Sequence, residues 1–366
     1  MNNNPTVLEI KLSSIEHNLN FFRSKLKKKT KTLAVVKASG YGSDAVRVAQ
    51  YLEKLQVDYF AVAYTDEGIA LRKSGVRTPI LVLHPQLQNL TLLIQHNLEP
   101  NLYSKKVFHA FLEIADSLSL QTYPIHLKFN TGLNRLGFKT SDADFLFKHL
   151  KGQKSIHVKS LFSHLVASED ENEREFTLKQ IQKFESVAAL FESSLGYKPM
   201  MHMTNTSGIL NYPEAHFDMV RLGLGLYGFT NDVSINSKLK NVLTLKSVIS
   251  QIHEIEENES VGYNKGFIAG KQMKTATIPL GHADGFFRCL GHGKVCVHVN
   301  GQKAPIIGNV CMDMVMIDVS DINCEEGDQV IVFDSRAQVL ELASKASTIS
   351  YEILTAFSDR IKRLAL

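Results

Sequence analysis

TLAVVKASGYGS, residues 32–43, sets a short apolar run directly against a lysine and a glycine-containing turn. The amphipathic stretch Asp44–Leu55 follows, and then a second apolar run, YFAVAY (59–64). A strand-length apolar run, a turn, a helical pattern and another apolar run read as a β-α-β unit of a parallel sheet buried on both faces. The same reading repeats at PILVLH (79–84), LEPNLY (98–103), IHLKFN (125–130), VKSLFSHL (158–165), MHMTN (201–205) and FDMVRLG (217–223), with amphipathic stretches such as Glu173–Leu195 between most of them. Eight such units predict a closed (β/α)8 barrel, although an open doubly wound sheet gives a similar pattern.

After Thr230 the pattern changes. Asn231–Leu239 is polar without a clear period and reads as a linker. Beyond it, TLKSVISQI, KTATIPLG, GKVCVHVNG, APIIGNVCMDMVMIDVS and DQVIVF are runs of β-formers broken by Gly and Asn, the signature of an all-β segment. Helical patterns at Ala337–Leu342 and Tyr351–Leu364 close the chain. The expected division is a barrel over 1–235 and a mainly-β domain over 236–366. Near the start, Ser13-Ser14-Ile15-Glu16 reads as a capping box opening a helix with Ile15, Leu19, Phe22 and Leu26 on one face.

Composition excludes several classes. The 366 residues are 44% hydrophobic and 21% charged, and the net charge of +4 lacks the basic excess of a nucleic-acid binder. The basic run Arg23 to Lys31 follows the first helix, where cations favour the dipole. Cys289, Cys296, Cys311 and Cys324 contain no C-x-x-C pair, which argues against zinc or a disulfide scaffold. No signal pattern opens the chain and no apolar run is long enough to span a bilayer, so a cytoplasmic protein without a membrane or nucleic-acid partner is expected.

Functional groups of a barrel gather at the C-terminal ends of its strands. Lys37 ends the first run, Lys128 and Asn130 the fifth, His164 the sixth, Asn205 and Thr206 the seventh, and Arg221 the eighth. A lysine at an apolar barrel mouth loses its proton more readily through desolvation. Its neutral amine can then form a Schiff base with a carbonyl, as in pyridoxal-phosphate enzymes. GLGLYG (223–228) fits G-x-G-x-x-G but is followed by polar TNDVSINSK rather than an amphipathic helix, so it is weak as a dinucleotide fingerprint. It reads either as a place where backbone N–H groups approach a phosphate or as a tight strand-to-loop turn.

These segments together resemble the alanine racemase family. AVVKASGYGS is similar to that family's cofactor-lysine motif, and KFNTGLNRLGF (128–138) to its K-x-DTGMxRLG. SHLVASED (163–170), HMTNTSG (202–208) and VRLGLGLYG (220–228) continue the resemblance in order. So do VGYNKG (261–266), GHADGFFR (281–288), APIIGNVCMDMVMIDV (304–319) and TISYEIL (348–354). The resemblance implies that Lys37 carries pyridoxal 5'-phosphate and is one acid–base group, with Tyr263 acting on the opposite face. A racemase needs two such groups, because one takes the α-proton and the other returns it from the far side. It implies that Arg221 faces the pyridine nitrogen and that His164 supports the site. Asn205 belongs to the cofactor set, and Tyr41, Thr206, Gly223, Leu224 and Tyr351 to its phosphate-binding positions. Arg135 and the Met312 backbone N–H would bind the substrate carboxylate, and Lys128 would be carbamylated. It also implies a homodimer with active sites shared between subunits, because a β-domain leaving the eighth strand would need a long connection to cover its own barrel mouth. No metal is implied. The implied activity is interconversion of L- and D-alanine for peptidoglycan; the alternative is a racemase of the same fold for serine or a basic amino acid.

The chain departs from the family pattern in places. Asn130 stands where Asp is usual, Leu133 for Met, Thr206 for Ser, and His282 for the Tyr of GYADG. Ser39-Gly40 and Ser43 differ around the lysine, and Asn264-Lys265 after the tyrosine. A decarboxylase of this two-domain type would put an acid on the pyridine nitrogen, against Arg221. A single-domain cofactor carrier would lack Tyr263.

Overall fold

The computed structural model, which describes residues 4–366, closes the eight apolar runs into a ring. Its barrel strands are β1 (Lys31–Val35), β2 (Tyr59–Val62), β3 (Ile80–Val82), β4 (Glu99–Leu102), β5 (Tyr123–Lys128), β6 (Ile156–Phe162), β7 (Met200–His202) and β8 (Met219–Leu222). Every neighbour is parallel, and β8 pairs back onto β1 with Thr32 opposite Val220 and Leu33 opposite Arg221. That last pairing decides between barrel and open sheet. The strands are buried nearly throughout because helices cover the outside and side chains fill the inside, which is why they lack alternation.

The chain divides into two compact units. One comprises Glu16–Gly40 and Ala45–Lys240; the other takes the chain up to Ile15, Tyr41–Asp44 and Asn241–Leu366. The first helix runs Leu12–Arg23 and buries Ile15, Leu19 and Phe22. It starts ahead of Ser13, so the capping box expected there is not its opening. The Glu16 carboxylate instead accepts from the Tyr51 hydroxyl at 2.6 Å, and Leu26 lies beyond the helix end. The polar 231–239 segment holds the short helix Val233–Asn236 and is anchored at its end. Asn18 donates to the carbonyls of Leu226 and Lys240 at 3.0 and 2.9 Å and accepts from the Lys240 N–H at 2.8 Å, while a His17 ring nitrogen lies 2.9 Å from the Lys238 carbonyl.

The second unit holds a nine-stranded sheet. Its order is Gln251–Ile255, Met273–Ile278, Val315–Asp318, Gln302–Ile307, Cys296–Val299, Gln329–Phe333, Leu243–Val248, Val7–Ile10 and Lys362–Ala365. Each of the expected β-rich runs supplies one or more of these strands. The chain's end differs from the helix expected over Tyr351–Leu364. The helix stops at Ala356, and Lys362–Ala365 pairs in parallel with Val7–Ile10. A ladder partner more than 350 residues away overrides the local helical pattern. No helix among the described residues is long and apolar enough to cross a membrane.

Tyr41–Asp44 join this unit through close contacts. Arg363 directs its guanidinium at the carbonyls of Gly42, Phe357, Ser358 and Ile361. Gly42 has φ +79°, and a Cβ there would stand 1.8 Å from the Leu354 carbonyl oxygen. Left-handed backbone and a backbone obstacle leave only glycine. Gly42→Ala is therefore expected to destabilise the protein by about 3 kcal/mol or more, read by chemical denaturation. A loss below about 0.5 kcal/mol would contradict this packing.

Candidate active site

The barrel mouth is assembled from strand ends. Lys37 follows β1, half-buried, and the chain then turns through five consecutive left-handed residues, Ala38 to Gly42, with φ between 52° and 79°. Three of these are not glycine, at about 1–2 kcal/mol each. Such strain persists where the surroundings hold it. Glu67 supplies part of that hold, since its carboxylate accepts from the Ala38 N–H at 2.6 Å and from the Ala63 N–H at 2.6 Å. Burial and the nearby Arg135 lower the pKa of Lys37, opposed by Glu67. The amine is thus more available as a nucleophile or base than a surface lysine.

Arg221, on β8, is buried and heavily bonded. Its Nη1 donates to His202 Nδ1 at 2.9 Å; its Nη2 donates to His164 Nδ1 and to the carbonyls of Ser163 and Met203, each at 2.8 Å. Burial, then Arg135, lowers its pKa to about 9, which leaves it a cation at neutral pH. A guanidinium only donates, so both histidines present a lone pair at Nδ1. His164 is held well below the usual histidine range by burial and by Arg221, Lys128, Arg135 and Lys37. Phe162 lies beneath the group, stacked on His202 with centroids 4.8 Å apart and rings within 6°. Arg221 stands 5.5 Å and Lys128 5.9 Å from its centroid.

Lys128, at the end of β5, is 7% exposed. Burial, Arg135, Arg221 and Lys37 push its pKa down to about 7. Asn130 clarifies one sequence departure. Its Oδ1 accepts from the N–H groups of Gly132 and Asn134 at 3.1 and 3.0 Å, and its Nδ2 donates to Asn134 at 2.8 Å. It organises the loop bearing the exposed Arg135 as an aspartate could, but adds no negative charge to four clustered cations.

Two helix starts sit beside this cation group. Asn205 caps Thr206–Asn211, its Oδ1 accepting from the Gly208 N–H at 2.9 Å and from Ser168 Oγ at 2.8 Å. The short turn Leu224–Tyr227 begins after Gly223, and the Gly225 N–H donates to Thr206 Oγ1 at 3.2 Å. A Cβ on Gly225 would reach within 2.5 Å of the Phe22 ring, so the turn needs glycine there. First-turn N–H groups, here including those of Gly223 and Leu224, lack partners within their own helix and suit an anion.

The second unit carries the remaining expected residues. Tyr41 and Tyr351 are ring neighbours, centroids 6.1 Å apart, and burial raises the Tyr41 pKa. Tyr263 is 74% exposed and Met312 59%. Gly262 (φ +75°) and Asn264 (φ +56°) make the bends around the tyrosine, and Asn309 Nδ2 donates to its carbonyl at 3.0 Å. Among the described residues no group of three or more His, Cys, Asp or Glu could hold a metal ion. Reading strand ends alone missed Glu67 and Asn309, which act through backbone groups, and Ser168, which bonds the Asn205 side chain. It also missed His202, which ends β7 but stands second in the expected run MHMTN (201–205), whose end was read at Asn205.

A lysine amine at a barrel mouth, among cations and helix starts, has the chemistry to take an anionic carbonyl ligand. Comparison with known proteins gives the family. Residues 10–231 match the model for the alanine racemase N-terminal domain and 242–365 that for its C-terminal domain. An alanine racemase of Methanococcus maripaludis is 32% identical over the whole of both chains. The alanine racemase structure of Clostridium difficile 630 superposes with a TM-score of 0.94 at 30% identity, covering 100% of this chain and 97% of that one. That of Bartonella henselae, with covalently bound pyridoxal phosphate, gives 0.88 at 26% identity and 99% of each chain. The chain belongs to the alanine racemase family.

Proposed function

We propose that this protein is a cytoplasmic, pyridoxal-phosphate-dependent isomerase that interconverts L-alanine and D-alanine, supplying D-alanine for peptidoglycan. The observation that carries the reading is that Lys37, its pKa lowered, and Arg221 both act on the buried Lys128 and His164, with two helix starts following β7 and β8. These residues fit the cofactor. Lys37 would hold its aldehyde carbon, and Arg221 would donate to its ring nitrogen. The N–H groups of Gly223 and Leu224, with Thr206, Tyr41 and Tyr351, would hold its phosphate. His164 and Asn205 complete the surroundings. When bound, the cofactor supplies an electron sink that acidifies the substrate α-proton.

The protein's part is proton placement. Tyr263 takes the α-proton of L-alanine on one face, and Lys37 delivers a proton on the other; the reverse reaction exchanges the roles. Arg221 can donate to an unprotonated ring nitrogen but cannot accept a hydrogen bond from a protonated one, so that nitrogen would stay unprotonated. This limits the electron sink and so disfavours competing decarboxylation and transamination. Arg135 and the Met312 N–H hold the carboxylate. The exposed Tyr263, Ile268, Met312 and Met314 support a homodimer in which each β-domain serves its partner's barrel. The barrel thus binds cofactor, and the C-terminal domain brings the second acid–base group.

The substrate test is direct. Single enantiomers of Ala, Ser, Arg and Lys are incubated with the holoenzyme, and both enantiomers are followed by chiral chromatography. Alanine should be converted fastest; faster conversion of serine or a basic amino acid would reassign the substrate.

Lys128 is proposed to be carbamylated. Its neutral amine attacks carbon dioxide, the new N–C bond forms, and one proton leaves to solvent. The resulting anion would sit among Lys37, Arg135 and Arg221 and orient Arg135. With a pKa near 7, the neutral amine, and hence the carbamate, gains occupancy as pH rises through 7. The unmodified protein follows linkage in the same direction. Its folded pKa lies below the unfolded value of about 10.4, so stability rises with pH between the two. Protein stripped of carbon dioxide should regain activity on adding bicarbonate at pH 8, with a carbamate carbon signal in 13C NMR. No response and no signal would remove the assignment.

A further inference from the structure

Behind Arg221 the barrel interior carries a row of polar side chains that the proposed chemistry does not use. Arg221 Nη1 meets His202 Nδ1 at 2.9 Å, and His202 Nε2 meets Ser160 Oγ at 3.0 Å. Ser160 Oγ meets His126 Nδ1 at 2.6 Å, and His126 Nε2 meets Glu99 Oε2 at 2.7 Å. The Tyr59 hydroxyl also bonds Glu99. His126, Ser160 and His202 are fully buried. Glu99 opens β4, and among the described residues of the barrel unit it is the only buried carboxylate.

The ends of the row set its polarity. Arg221 only donates, so His202 accepts at Nδ1 and, as a neutral ring, carries its proton on Nε2. Burial and the neighbouring Arg221 hold His202 well below the usual histidine range, consistent with a neutral ring. Ser160 then accepts from His202 and has its one proton to give to His126 Nδ1. His126 in turn donates from Nε2 to Glu99. In this order each of the four contacts pairs one donor with one acceptor. The opposite choice, a protonated His126 donating from both nitrogens, leaves the buried Ser160 hydroxyl proton without an acceptor among these residues.

We propose that Glu99 is a positioning residue for the racemase site, fixing through His126, Ser160 and His202 the proton order that keeps His202 Nδ1 an acceptor and so holds the Arg221 guanidinium in place at the barrel mouth. It is the anionic terminus of a buried row whose other end is cationic, and it touches neither cofactor nor substrate. The role rests on the racemase reading, but the primary test does not, because ring protonation is read in cofactor-free protein.

The test is 15N NMR of histidine-labelled apoprotein at pH 7.5, with His126 and His202 assigned by His126→Gln and His202→Gln. The wild type should show both rings neutral with the proton on Nε2. An imidazolium signature for His126, or the proton of His202 on Nδ1, overturns the proposal without any variant at Glu99. Glu99→Gln should then shift the ring signals of His202, three hydrogen bonds away, while Glu99→Asp restores them in part. In the holoenzyme, Glu99→Gln should lower kcat about tenfold with KM for alanine changed less than twofold. Unchanged His202 signals in a folded Glu99→Gln protein would also overturn it.

Discussion

Lys37→Ala is expected to lower racemisation by on the order of 10^4-fold or more, in both directions. Acid–base catalysis alone is worth about 10^2- to 10^4-fold. The substitution also removes the proposed covalent anchor. Folding should not suffer. Lys37 is half-buried beside other cations, and burial lowers its pKa, so its charge costs stability in the empty site. Thermal stability of the apoprotein should equal or exceed that of wild type, which separates lost chemistry from lost structure. Borohydride should fix cofactor to a Lys37 peptide in wild type and to none in the variant. Retained activity above a hundredth of wild type, or label on Lys128, would refute the assignment.

The second large effect is recovery rather than loss. Lys37→Ala and Tyr263→Phe should each be nearly inactive, yet their mixture should work if sites are shared. In a hybrid dimer one site then carries both substitutions and the other carries neither. Random exchange makes about half the dimers hybrid, so roughly a quarter of all sites become intact. Activity should rise from near background to about a quarter of wild type. Mass-tagged subunits show independently that exchange has occurred. Demonstrated exchange without recovery means that Lys37 and Tyr263 of one chain serve the same site.

The barrel was legible because parallel strands buried on both faces read as continuous apolar runs, and all eight runs became strands. Ring closure was not legible, since the β1–β8 pairing joins residues about 190 apart. Long-range pairing also hid the strands Val7–Ile10 and Lys362–Ala365, whose partners lie at opposite ends of the sequence. At the site, residues ending a strand were readable from position. Glu99, His126 and His202 were not, because each stands inside an expected apolar run and a polar residue there gives no sign of its partners. Alternation offered one clue: His126 lies two residues before Lys128 on β5 and so shares its face. The left-handed turn at Ala38–Gly42 was invisible at Ala38, Ser39 and Tyr41, which rarely adopt positive φ.

The central claim is a racemase that removes the α-proton on one face and returns a different proton on the other. Its most direct test is L-alanine incubated with holoenzyme in D2O, followed by chiral chromatography with mass detection. Enantiomers have equal free energy, so the account predicts convergence on equal amounts of the two. It also predicts D-alanine carrying one deuterium at Cα from the first turnovers. D-alanine that keeps the original hydrogen, or consumption of L-alanine without any D-alanine, would contradict it.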